Sequence, residues 1–297
     1  MGIIYLLVTF FLFALISVCI KILLKDNSID IYTLAFFRFS IAALVLLAVQ
    51  YFRTKKLKVS FRSKWTLLGG LGLGLDFLFF NLGLKYTTAT AASLLANATH
   101  MIAMGVFGWI WLKENAGIYR VIGFAATLAG MVFVCLGGQD AQSAGSLFSS
   151  QYFLGNIIII LGGFTWTLYG VAQKMTCNDG ATIERTIPVF IIGTAVTGLS
   201  AIPKFGGLKP LGLYELAALL VLCVFCTGLS YAALAKALKT VDIVVAGVMG
   251  SLTPVFTVAI AHFSLKETLT LSVILGMIGV LAGTVLMVFQ EKSDPVV

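Results

Sequence analysis

The sequence predicts an all-α integral membrane protein: ten transmembrane helices arranged as two inverted five-helix repeats around a central cavity. Three observations predict it. The 297 residues are 60% hydrophobic and only 11% charged, with a mean hydropathy of +1.04. A soluble domain is about a quarter charged, and a soluble fold could not hide this much apolar surface. Ten runs of about 20 mostly apolar residues each match the thickness of a bilayer. Finally, LKENAGIYRVIGFAATLAG (112–130) and LKETLTLSVILGMIGVLAG (265–283) write one pattern twice.

The first run, 2–23, begins at Gly2 without a basic n-region or a small-residue cleavage site, so it reads as a retained span. Span 2 (31–51) carries Arg38. RTKKLKVSFRSK (53–64) holds six of the 20 basic residues and reads as a cytoplasmic loop that fixes topology, with contact to anionic headgroups as a secondary reading. Span 3 (65–84) carries Asp76, Phe77 and Asn81, and span 4 (89–111) carries Asn97 and His100. Span 5 (117–137) ends the first half. GGQDAQSAGSLFSSQY (137–152) is polar and rich in small residues, which predicts a flexible linker at 138–152. The second half holds spans 153–173, 183–203, 212–235, 241–263 and 269–290, then a cytoplasmic tail at 291–297. These runs lack the period-two alternation of barrel strands, so the spans are helices.

The halves, 1–137 and 153–290, align at a constant offset of 153–154 residues. FFLFALISVCIK (10–21) matches GFTWTLYGVAQK (163–174), ending at Lys21 and Lys174. LKYTTATAASLL (84–95) matches LKTVDIVVAGVM (238–249), and VIGFAATLAG (121–130) matches ILGMIGVLAG (274–283). Five spans per copy is an odd number, so the second copy sits upside down in the membrane. With the N-terminus inside, thirteen Lys/Arg fall on the cytoplasmic side and six on the other, with Arg38 left within a span. That bias predicts a multi-pass protein of the cytoplasmic membrane with both termini in the cytoplasm.

At this point the chain resembles the EamA-type transporters of the drug/metabolite transporter superfamily. The resemblance rests on the paired five-span halves and on two patterns: ALKTVDIVVAGVMGSLTPVFTVAIAHFSLKE (237–267) and its weaker partner GLKYTTATAASLLANATHMIAMGVFGWIWLKE (83–114). His100 stands where the family often repeats the proline that occurs here as Pro254. The resemblance implies a basket in which spans 1–4 and 6–9 surround the cavity and spans 5 and 10 lie outside it. It also implies alternating access and export of a small metabolite, an amino acid or a related compound.

The residues themselves locate a site through the polar groups that are expensive in lipid. A charge at mid-bilayer costs at least about 2.5–3.5 kcal/mol, so it faces a partner or a wet cavity. Counting helical rise places Asp76 roughly 16 Å from the cytoplasmic face and Arg38 roughly 12 Å from the outer one. At these depths the two form either a structural ion pair or a charged binding site. His100 is either a proton relay or a histidine bonded to a neighbouring carbonyl. Asn97 lies about one turn before it, and Asn81 is counted in the same set. Pro254 kinks span 9, as a structural bend or beside the site. Lys21 and Lys174 either snorkel or guard the path. Trp166, Tyr169, Tyr231 and Phe77 either line an apolar pocket or pack. Gly70 with Gly74, and Gly279 with Gly283, allow close helix approach.

The expected partners are a small-molecule substrate and membrane lipid, with no nucleic acid, in a monomer or homodimer. No cofactor, metal or enzymatic activity is expected. Only two histidines occur, His100 and His262, in different spans, and there is no Gly-rich phosphate loop. Of the five cysteines, Cys223 and Cys226 form a Cys-x-x-Cys with no second pair beside it, which reads as apolar packing. A channel-like uniporter is the alternative, and an integral-membrane enzyme a more distant one.

Overall fold

The computed structural model describes residues 1–24, 29–59, 61, 63–83, 86, 89–114, 117–136, 153–176, 182–203, 210–265 and 271–293. Within them the chain forms ten helices. The first half holds α1 (Gly2–Leu24), α2 (Ile31–Thr54), α3 (Lys64–Gly83), α4 (Ala89–Val106, continued by a π turn at Phe107–Trp111) and α5 (Ile118–Leu136). The second holds α6 (Phe153–Met175), α7 (Thr182–Ala201), α8 (Leu213–Ala237), α9 (Ile243–Gly250 and Leu252–Leu265) and α10 (Leu271–Ser293). The linker at 138–152 lies outside the described residues, as do the side chains of Lys21 and His262.

Among the described residues, four helices are long and apolar enough to cross a membrane by length and composition: Ile31–Phe52, Lys64–Gly83, Phe153–Met175 and Leu213–Ala237. Large apolar side chains such as Leu44, Phe52, Phe164 and Leu199 cover the outside of the bundle, the reverse of a water-soluble surface. Several helices run two or three residues beyond the predicted spans, because hydropathy marks only the hydrocarbon and helices continue into the headgroups. At the end of α2, Gln50 holds the basic loop reciprocally: its amide donates to the Lys58 carbonyl at 2.9 Å and accepts the Lys58 N–H at 3.1 Å.

Two features of the helices differ from ten plain spans. Span 9 is broken at Ser251, three residues before the kink predicted at Pro254. A proline leaves the carbonyl four residues earlier without its helical partner, here that of Gly250, so the break appears one turn upstream. In α8, nine residues, Val221–Leu229, wind as π-helix. There Thr227 donates to the Leu222 carbonyl at 2.7 Å, five residues back.

Glycine governs how closely the helices pack. α5 and α10 run antiparallel and make the most extensive pairing. A Cβ on Gly130 would lie 2.5 Å from the Val280 nitrogen, and one on Gly279 would lie 3.2 Å from Gly130 Cα. Gly70 and Gly74 turn toward Ile192 and Val196 of α7, while Gly69, Gly72 and Gly83 face α6. The remaining large pairings join α3 with α6 and α7, α2 with α7 and α8, α4 with α6, and α1 with α8 and α9. Gly2 of α1 lies against Val241, and Ile3 and Leu7 share an apolar groove with Val288 and Phe289, so the first and last helices start and finish at one end of the bundle. That end is the N-terminal end; the opposite one is the far end.

Candidate functional site

A cavity of about 220 Å³ runs from the middle of the bundle toward the far end. Its outer wall is built from Ile16 and Ile20 late in α1, Ile31 and Leu34 early in α2, and Phe80 and Asn81 late in α3. Its floor holds Trp166, Tyr231, Gly247 and Gly250. Arg38, Asp76, Phe77, Asn97 and His100 line the middle. Eight of the predicted site residues thus meet in one place: Arg38, Asp76, Phe77, Asn81, Asn97, His100, Trp166 and Tyr231.

Of the two arrangements left open for Arg38 and Asp76, the direct ion pair is not formed between them. Arg38 donates its Nε–H to Thr227 Oγ1 at 3.2 Å and lays its guanidinium 4.4 Å from the centre of the Phe77 ring. Among the described residues Asp76 has no hydrogen-bond or ion-pair partner, though it is near enough to Arg38 to interact electrostatically. Gly162 makes space beside it: a Cβ there would sit 3.4 Å from Asp76 Oδ1. The outcome is a guanidinium and a carboxyl group lining one cavity with no direct bond between them, the guanidinium held by Thr227 and Phe77.

The aromatic residues form a base under this pair. His100 stacks on Trp166 at 4.4 Å and 23°, and among the described residues its buried Nε2 has no hydrogen-bond partner, so of its two readings the bond to a neighbouring carbonyl is not seen at that atom. Trp166 donates its indole N–H to Tyr231 Oη at 3.4 Å, and Tyr231 also packs on Phe13 at 5.0 Å. Asn81 reaches the Ile31 carbonyl at 3.5 Å.

Three predicted residues lie elsewhere. Tyr169, one turn beyond Trp166, is fully buried below the floor and packs on Tyr231 at 5.4 Å. A step of three residues keeps it near the same face but carries it about 4.5 Å along the helix axis, beneath the floor. Lys174 neither snorkels nor faces the cavity; its ammonium donates to the Val241 carbonyl at 2.8 Å at the N-terminal end. Pro254 sits beside cavity-lining Thr253 without lining the cavity itself.

Sequence reasoning missed a second polar cluster, which seals the N-terminal end. Arg120 Nη1 lies 2.7 Å from Asp242 Oδ2, with the arginine fully buried. Glu114 accepts the N–H groups of Ile243 at 2.9 Å and Val244 at 3.1 Å. The sign was present in the repeated Leu-Lys-Glu and in Thr-Val-Asp before α9, yet the partners are more than a hundred residues apart. Burial, and then the Asp242 charge, push the Glu114 carboxyl above the ordinary glutamate range, against the two N–H bonds and Lys174, which pull it down.

A helical bundle with an apolar exterior and a charged cavity, sealed at one end, defines a multi-pass membrane protein of the transporter class. The known relatives agree. The sequence profile of the EamA-like transporter family matches residues 1–136 and 153–289, so the chain belongs to that family. An uncharacterized transporter of Archaeoglobus fulgidus is 32% identical over 282 residues, covering 92% of each chain. The uncharacterized inner membrane transporter YhbE of Escherichia coli is 28% identical over 234 residues, covering 76% of this chain and 70% of YhbE. A solved crystal structure superposes with a TM-score of 0.84 over 98% of each chain at 19% identity, a likeness of fold.

Proposed function

We propose that the protein is a secondary transporter that moves a small zwitterionic metabolite, an amino acid or a related compound, across the cytoplasmic membrane by alternating access. The observation that carries this reading is the separated pair of Arg38 and Asp76 in a cavity of about 220 Å³. That volume lies below the roughly 300–1,000 Å³ of drug-sized sites, which suits a small metabolite. Arg38 is suited to a carboxylate, Asp76 to an ammonium, and the aromatic floor to an apolar side chain.

Alternating access in this reading is an exchange between two inverted five-helix repeats, 1–137 and 153–290. Support comes from the packing: exchanging α1–α5 with α6–α10 turns the α3/α6 pairing into α8/α1, α3/α7 into α8/α2 and α4/α6 into α9/α1, all of which occur. The α2/α7 and α5/α10 pairings map onto themselves. The two stretches matched by the family profile also hold five helices each. The basic loop supports cytoplasmic termini, so the cavity faces outward. Export is the direction that the family resemblance implies. The sealed N-terminal end favours a carrier over a continuous channel.

The test is counterflow of radiolabelled amino acids in proteoliposomes. Saturable exchange is expected, and Asp76→Asn should abolish it while the protein still inserts. Full exchange by Asp76→Asn, or flux that never saturates, would contradict the proposal.

A further inference from the structure

The residues that lead into α9 are gripped from three directions at the sealed end. Glu114, just past α4, accepts two N–H groups at the first turn of α9. Arg120 on α5 pairs with Asp242, and Lys174 on α6 holds the Val241 carbonyl. A carboxylate at this position satisfies donors that the helix cannot and lies favourably against its dipole. The turn that presents Glu114 is closely specified. Its own N–H reaches back to the Gly108 carbonyl at 2.9 Å, with Lys113 left-handed at φ 54°. A Cβ on Gly108 would collide with Glu114, Ile243 and Val244. The other end of this α9 segment is the break at Ser251, beside the floor glycines Gly247 and Gly250. Below that floor, α6 carries two buried polar atoms, Tyr169 Oη and Gln173 Oε1, with no hydrogen-bond partner among the described residues. Buried orphan groups of this kind are expensive unless another state of the molecule wets them.

We infer that Glu114 is a proton-linked latch: it holds the first segment of α9 across the N-terminal end, and Tyr169 and Gln173 line the path that opens when it lets go. The inference rests on the alternating-access reading for what the latch controls. The charged groups around Glu114 are Asp242 before α9, Lys174 on α6, Arg120 on α5 and Lys113 on its own turn. Once the end opens, Glu114 meets water and returns to its ordinary range. The closed end therefore holds the proton more tightly. Acid favours closure, and raising the pH through the raised value favours opening, by up to about tenfold in the open-to-closed ratio per pH unit.

The experiment uses the full chain with its five native cysteines replaced by alanine and one reporter, Gln173→Cys, in inside-out vesicles. A membrane-impermeant maleimide is applied at about pH 6 and about pH 8, either side of neutral and above the ordinary glutamate range. Labelling is normalised to a reporter in the exposed basic loop, Lys56→Cys. With Glu114 intact, labelling should rise with pH. Glu114→Gln keeps an acceptor oxygen and loses the charge that Asp242 repels, so labelling should stay low at both pH values. Glu114→Ala strands the α9 donors, so labelling should be high at both, by at least about tenfold over Glu114→Gln. Unchanged pH dependence in Glu114→Gln, or a closed Glu114→Ala, would overturn the latch. A second reporter, Leu34→Cys in the cavity wall, is labelled from the opposite side. If it fails to fall as Gln173→Cys rises, alternating access is lost and the latch stands.

Discussion

Arg38 spends one donor on Thr227 and rests on Phe77, and it makes no further hydrogen bond to a described residue, so the rest of its guanidinium is turned to the cavity. Thr227 is therefore a positioning residue. Thr227→Val keeps the volume and strands the Arg38 Nε–H, a loss of about 1–3 kcal/mol, which in proteoliposomes should raise KM by about five- to hundredfold with less change in kcat. Arg38→Lys removes the planar fork and should abolish saturable transport. A separate expectation concerns Lys113. A non-glycine residue in left-handed backbone costs about 1–2 kcal/mol, so Lys113→Gly should raise the thermal unfolding midpoint in detergent, whereas Lys113→Val should lower it. The charges of the site were legible in the sequence because Arg38 and Asp76 stand alone in apolar runs. Thr227 was not, since a helical hydroxyl is ordinarily satisfied by its own backbone and carries no sign of a distant partner. The His100–Trp166 stack was hidden for a related reason: it depends on how α4 lies beside α6.

At the scale of the helix, the same small residues that weaken an isolated helix allow two helices to touch. Gly130 approaches backbone atoms of α10, which cannot rotate away as a side chain can. Gly130→Ala should therefore lower stability by about 1–3 kcal/mol, read as a lower thermal midpoint, because it forces α5 and α10 apart. Gly198 is the control: a Cβ there meets Phe36 at an ordinary 3.4 Å, so Gly198→Ala should change little. Element positions were readable to within two or three residues because lipid demands a fixed length of apolar chain. Interruptions were less so. Pro254 announced a break in α9, yet the chain opens at Ser251, where the carbonyl partner is missing. Nothing in the composition of VLCVFCTGL marks the π winding of α8, within which Thr227 meets Arg38.

For the whole molecule, the two ends differ in kind. The far end leads into the cavity, and the N-terminal end is closed by charged groups that hold the lead-in to α9. The proposed orientation, with the N-terminal end in the cytoplasm, rests on charge, and charge supplies the strongest test. By sequence, thirteen Lys/Arg fall in the segments assigned to the cytoplasmic side and six in those assigned to the other; Arg53, Lys55, Lys56, Lys58, Arg62 and Lys64 supply six of the thirteen. Five helices per half place both termini on one side. A fluorescent protein fused to the C-terminus should therefore light up in the cytoplasm, and alkaline phosphatase at the same position should be inactive. Replacing the six loop residues by glutamine leaves seven basic residues against six, and the bias that orients insertion nearly vanishes. The six-residue variant should insert both ways, with fluorescence falling by roughly half and phosphatase activity appearing, since a near-equal distribution gives the inserting chain no preferred side. Retention of a single orientation would mean that the remaining residues, or the buried cluster around Glu114, fix topology. Termini reported on opposite sides would break the odd count on which the inverted repeat depends.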